Sequence, residues 1–149
     1  MKTLTLITVF FALMSVPLVV AASGQHEPDG MSTDGLMFIV GSMTSKSVRG
    51  MAHLKDVSEA MAKMGMKTTH YFMIAFVDEA TGEQIESGTV TLKITNPDGK
   101  VGEAIELIGM QGHFGVDIAL DMEGEYHFKL ATKLADGVKR KYHFHHVNK

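Results

Sequence analysis

The chain contains no cysteine. Disulfides cannot staple it, no thiolate can bind zinc or attack a substrate, and no lipid can be attached at a processing site. The core alone must therefore hold the fold, and any soft-metal chemistry must use methionine or histidine. Net charge is also small: 14 Lys and Arg against 17 Asp and Glu give −3. Bulk electrostatics of this size and sign invites neither nucleic acid nor an anionic membrane surface. Catalytic signatures are missing as well, with no Gly-x-Ser-x-Gly elbow, no zinc-protease His-Glu-x-x-His run and no phosphate-binding glycine loop. The carboxylates Asp78, Glu79, Glu83 and Glu86 fall in turns without an opposed partner, so the chain reads as a non-enzyme.

Only one long apolar run is present, from Leu4 to Val20, interrupted by the hydroxyls of Thr5, Thr8 and Ser15. Lys2 precedes it and Ala21-Ala22-Ser23 follows, the outline of a secretory signal rather than of a membrane-spanning helix. Cleavage is expected after Ala22, giving a signal peptide at 1–22 and a periplasmic or secreted protein with no membrane segment after processing. Losing Lys2 takes the formal charge from −3 to −4. Residues 23–35 are polar and aperiodic, a flexible leader with His26 solvated. Residues 36–149 are the right size for one domain with one core.

Sulfur and imidazole are what the sequence has in excess: 12 Met and 8 His, of which only Met1 and Met14 fall in the signal. Core filling is the ordinary use of an unbranched thioether. Leu36 to Val40, ended by Gly41, reads as a buried strand. From Asp56 the pattern turns helical, since Leu54, Val57, Met61 and Met64 recur at spacings of three and four. Asp56 with Glu59 resembles a capping box, and Gly65 stands where a left-handed C-cap would stop the turn. One short helix is expected inside a Met-rich segment at 51–66. Met61 and Met64 would pack on its apolar stripe, with Met51, His53 and Met66 flanking it.

Everything after Lys67 reads as strand. Residues 71–77 form a nearly continuous apolar run, a central strand covered on both faces with Met73 in the core. Residues 89–95 alternate Val90, Leu92 and Ile94 with polar neighbours, and Asn96-Pro97-Asp98-Gly99 is a strong turn. Further runs at 104–108, 115–120, 125–133 and 138–147 complete the count. The expected fold is all-β, an immunoglobulin-like antiparallel β-sandwich of about seven strands, with one short N-terminal helix after the cleaved signal peptide. The last hairpin can be registered: Tyr126, Phe128 and Leu130 share one face, as do Tyr142, Phe144 and His146, and burial requires the sets to coincide. Pairing Leu134 with Val138 around Ala135-Asp136-Gly137, with Gly137 left-handed, achieves this. It sets Phe128 against Phe144, His127 against His145, and His143 beside Lys129.

Opposed imidazoles about 5 Å apart can share a metal ion or repel when both are protonated. His127, His143 and His145 are therefore candidate ligands, although a surface histidine tract is often only a solvated face. A second candidate is Gly109-Met110-Gln111-Gly112-His113-Phe114-Gly115. Its three glycines point to a backbone unlike a normal strand, presenting the Met110 thioether and the His113 imidazole three positions apart. That donor pair suits copper, Cu(I) especially with Cu(II) also served by imidazole, while zinc, which prefers thiolate or several imidazoles, ranks second. The plainer alternative is a glycine-rich bulge with His113 bonded to backbone. His70, at the start of the central strand where strand ends open to solvent, is a further candidate.

The stretch from His70 to His145, with Thr81-Gly82, Asn96-Pro97-Asp98-Gly99, Met110-x-x-His113-Phe114-Gly115 and Gly124-x-Tyr126-x-Phe128, resembles the YtkA-like and related periplasmic immunoglobulin-like domains associated with copper handling. From Met110 to Phe128 it is also similar to periplasmic copper-containing proteins of bacterial iron uptake. The resemblance spans about residues 70–147 and implies a sandwich and a copper ligand set. Carried over residue by residue, it supports Met110 and His113 and permits His70 and His127, and the Met-rich segment 51–66 departs from it. The resulting expectation is an exported metal-binding protein, a copper carrier or chaperone using Met and His. The alternative is a non-enzymatic accessory module that binds another cell-envelope protein without metal.

Overall fold

The computed structural model describes residues 37–149. The signal segment 1–22 and the leader 23–35, with His26, lie outside the described residues. In chain order the elements are β1 Met37–Ser45, β2 Val48–Asp56, α1 Ser58–Lys63, β3 His70–Asp78, β4 Gln84–Ile85, β5 Gly88–Thr95, β6 Ile105–Glu106, β7 Ile108–Met110, β8 His113–Ile118, β9 Gly124–Leu134 and β10 Lys139–Asn148. One sheet runs β1-β2-β3-β8-β7 with β4 paired to β3, and the other runs β10-β9-β5-β6. Every strand pairing is antiparallel. With β1 and the short β4 and β6 set aside, β2-β3-β8-β7 over β10-β9-β5 is the four-on-three strand order of the immunoglobulin fold. The protein is the expected β-sandwich.

The core lies between the sheets and is largely aromatic. Phe72 and Phe128, one from each sheet, stack with centroids 5.2 Å apart, and Phe76 meets Tyr142 at 5.3 Å and Phe114 at 5.8 Å. Tyr126, fully buried near the start of β9, accepts the Met122 N–H on its phenol oxygen at 2.9 Å. This tyrosine corner pins the loop leading from one sheet to the other. Tyr142 donates its hydroxyl to the Val48 carbonyl at 3.0 Å, and burial pushes its pKa up to about 12. The β9–β10 hairpin has the register read from the sequence, with Phe128 opposite Phe144, His127 opposite His145, and Gly137 at φ 72°.

Other expectations are corrected. The segment 51–66 is not mainly helical: its first six residues belong to β2, which pairs with both β1 and β3. Leu54 is buried as a strand residue, on the inward face with Val48, Gly50 and Ala52. The helix is six residues long and buries none of its side chains, and Met64 is 63% exposed. Packing is thus not the role of that thioether. The capping box does not close either: Asp56 Oδ1 accepts the Ser58 N–H at 2.9 Å, while Glu59 pairs with Lys63. Gly65 does take the left-handed conformation, at φ 73°. The run 104–108 divides between sheets, with β6 on one and β7 on the other and buried Leu107 at the crossing.

Candidate functional site

Alternation along β9 and β10 decides where the histidines go. Tyr126, Phe128, Leu130, Tyr142 and Phe144 point into the core, so Glu125, His127, His143 and His145 must point outward from the same hairpin. Ring centroids are 4.6 Å apart for His127 and His145, 4.4 Å for His143 and His145, and 5.4 Å for His127 and His143. One ligand nitrogen from each lies within 4.8 Å of the others. Ligands on a tetrahedral ion with bonds of about 2.0 Å stand about 3.3 Å apart, so modest side-chain rotation closes the three onto one ion. His143 is exposed, His145 is half exposed and His127 less so, which leaves them free to make it.

Two contacts preorganise the cluster. His127 Nδ1 lies 3.2 Å from His143 Nε2, so one ring donates to the other, and His127 Nε2 lies 3.2 Å from Glu125 Oε1. The same carboxylate oxygen is 3.6 Å from His145 Nδ1. Sequence reasoning missed Glu125, although its position two residues before His127 on an alternating strand is the signal that finds it. The carboxylate orients the imidazoles and offers a fourth donor or a partner to a ligating ring. His143 is held below the usual histidine pKa by partial burial, and then by the neighbouring charges of His145, His127 and Lys129. Its neutral, metal-ligating form therefore persists further into acid. Where β1 packs along the edge of β10, Met43 Sδ accepts the His143 backbone N–H at 3.4 Å.

Met110 and His113 form a second group on the other side of the sandwich. They are register partners across the β7–β8 hairpin, and both reach the Tyr71 hydroxyl: Met110 Sδ at 3.5 Å and His113 Nε2 at 3.3 Å. Met110 is 48% exposed, so the thioether is presented rather than packed. Of the three glycines only Gly112 has a left-handed backbone, at φ 82°, and its carbonyl accepts from the Gln84 side chain. Gly109 and Gly115 are ordinary strand residues that leave room for rings. A Cβ at Gly109 would touch Phe114, and one at Gly115 would overlap the Tyr71 phenol. Burial, reinforced by the Asp117 charge, raises the Tyr71 pKa.

His70 does not open to solvent. It points inward from the end of β3 and is 8% exposed, with Nδ1 2.7 Å from Thr69 Oγ1 and its ring edge-on to His146 at 6.4 Å. Burial lowers the pKa of both rings, while the Asp56 charge pulls His70 the other way. The six residues singled out from the sequence thus fall in three places: His127, His143 and His145 together on one outer face, Met110 and His113 on the opposite face, and His70 between the sheets. Met73 is core, as read.

Comparison with known proteins bears on the fold alone. No family model and no curated protein matches the chain. Among solved structures it is similar to a DUF4426 family protein from Pseudomonas aeruginosa, with a TM-score of 0.54 and 12% identity, covering 72% of this chain and 93% of that one. At that identity the two share the sandwich architecture, and nothing about donor groups transfers. Among the described residues no helix is long and apolar enough to cross a membrane.

Proposed function

We propose that this is an exported, periplasmic metal-binding protein, a non-enzymatic carrier or chaperone whose principal site is His127, His143 and His145 with Glu125. The observation that carries the reading is three outward imidazoles whose nitrogens lie within 4.8 Å of one another. Three nitrogen donors and an oxygen suit Cu(II) first, because it heads the affinity order for such ligands, and zinc second. Met110 with His113 supplies the softer pair that favours Cu(I). Equilibrium dialysis of the protein against Cu(II), Cu(I) and Zn(II) tests it. One equivalent of Cu(II) should bind and be lost in the His127→Ala, His143→Ala, His145→Ala triple variant, whereas Met110→Leu with His113→Ala should remove Cu(I) only. No metal above background in any arm ends the reading.

One observation favours the accessory-module alternative. Ile108 and Met110, 65% and 48% exposed, lie on β7, the edge strand of its sheet. Adaptable apolar side chains on an edge strand suit β-augmentation by another envelope protein. A partner captured equally with and without chelator, and lost on Ile108→Lys, would support it.

A further inference from the structure

The outer face of the β10-β9-β5-β6 sheet is segregated in charge. Strands β5, β9 and β10 carry Lys93, Lys129, Lys133, Lys139 and Lys141 outward and hold a single carboxylate, Glu125, in a chain whose acids outnumber its bases by 17 to 14. The register sets like charge against like: Lys93 is opposite Lys129, and Lys133 is opposite Lys139. Directly opposed charges of one sign destabilise a sheet, and solvation alone would be served by acids or threonines. Among the described residues none of these five lysines forms an ion pair. The acids near this surface are Glu106 opposite Thr91, Glu125 at the histidine end, and Asp136 at the hairpin turn, which is already paired with Arg140 of the groove lining. Over the small side chains of Thr91 and Ala131 lies a shallow groove of about 660 Å³, walled by Lys133, Lys139 and Lys141. Along the same outward face, Lys129 and its direct partner His143 are the next residues on β9 and β10 after the paired Ala131 and Lys141 that line the groove.

A field of this sign repels a bare dication and attracts an anion. Glu125 offsets only one of the positive charges beside the imidazoles. The conflict is resolved if the metal arrives already chelated by an anionic oxygen ligand, with surplus carboxylates meeting the lysines while the imidazoles take the ion. We infer that the groove docks anionic polycarboxylate complexes of the metal and that the histidine cluster receives its ion from them. The step is ligand exchange without redox: carboxylate oxygens leave the ion, and the nitrogen lone pairs of His127, His143 and His145 replace them. This inference rests on the metal reading of those three histidines.

Stopped-flow transfer of Cu(II) to the full protein tests it, using the anionic citrate complex and the neutral bis-glycinate complex as donors. For the citrate donor, the Lys133→Gln, Lys139→Gln, Lys141→Gln variant should slow transfer at least tenfold at low salt, within the usual range of electrostatic steering. The glycinate rate should change by less than twofold, and the corresponding three Lys→Arg substitutions should retain the wild-type citrate rate. Raising the salt to 0.5 M should erase the difference, as screening requires. Uptake that ignores donor charge and the lysines overturns this inference and leaves the metal reading intact. No uptake from either donor overturns both. Urea midpoints of the variants, expected to match or exceed wild type, separate a lost groove from a lost fold.

Discussion

His127 and His145 stand opposite each other across the β9–β10 ladder, their ring centroids 4.6 Å apart and their planes at 69°. Protons and a metal ion compete for the same lone pairs there. Since imidazoles ligate only when neutral, affinity should fall as the pH drops through the histidine range, by about tenfold per pH unit for each proton displaced. His143, held below the usual range by partial burial and neighbouring positive charge, keeps its ligating lone pair further into acid than an ordinary imidazole. Competition titrations with Cu(II) at pH 5, 6 and 7 check this. A pH-independent constant would move the ion onto thioether donors.

Gly115 and Tyr71 give a steric test of the opposite face. Because a Cβ at Gly115 would overlap the phenol, Gly115→Ala must expel Tyr71 from its place between Met110 and His113. Overpacking of this kind costs about 1–3 kcal/mol. Chemical denaturation and the NMR shifts of the His113 ring read the two consequences. Unchanged stability together with unchanged shifts would mean that Tyr71 does not hold the two donors.

The buried His70 and the partly buried His146 beside it link stability to pH. Both have pKa values lowered by burial, so the unfolded chain takes up protons on these rings before the folded one does. Their contribution is therefore complete above about pH 6.5, the unfolded value, and is lost as the pH falls toward and through the folded values. Urea midpoints should drop between pH 7 and pH 5, and less steeply in His146→Gln. An equal slope in that variant would assign the acid sensitivity elsewhere, His53 being the next ring with a burial-lowered pKa.

What could be read from the sequence was the part governed by strong alternation. Large inward side chains at Tyr126, Phe128, Tyr142 and Phe144 made the register of the last hairpin, and hence the histidine cluster, a matter of parity. Strand β2 escaped because two of its four inward residues, Gly50 and Ala52, are too small to mark an apolar alternation. Gly50 sits there because a Cβ would press on Tyr142, Ile74 and Phe76, which is a tertiary reason with no local signal. The same holds for His70, whose inward turn depends on the facing sheet, and for Tyr71, which joins Met110 to His113 across strands.

The stacked pair Phe72 and Phe128, both fully buried with centroids 5.2 Å apart, locks one sheet onto the other. Phe72→Ala should cost about 3–5 kcal/mol, and Phe72→Leu much less because most of the volume is kept. Calorimetric unfolding of both variants checks the ratio, and comparable losses would mean that the ring geometry outweighs the volume it fills.

Arg140 holds the turn between β1 and β2 in a conformation its residues resist. Lys46 and Ser47 have φ values of 45° and 65°, the left-handed pair a two-residue hairpin needs but which non-glycine residues adopt at a cost. The buried guanidinium donates to the carbonyls of Ser45 and Lys46 at 3.1 to 3.3 Å and to both carboxylate oxygens of Asp136. Its hydrogen bonds hold the Asp136 carboxyl down to about pKa 2. A carboxyl lowered in this way stabilises the fold above its unfolded range near pH 4, and the gain disappears only as the pH falls through about 2. Two opposite substitutions follow. Ser47→Gly should raise stability by about 0.5–1 kcal/mol by relieving the left-handed residue. Arg140→Met should lower it, because the turn carbonyls lose their donor, while the Asp136 carboxylate, its side chain 39% exposed, is left to solvent rather than stranded. Thermal unfolding resolves both, and if Ser47→Gly brings no gain in the wild type but does in Arg140→Met, the guanidinium has already compensated for the turn's strain.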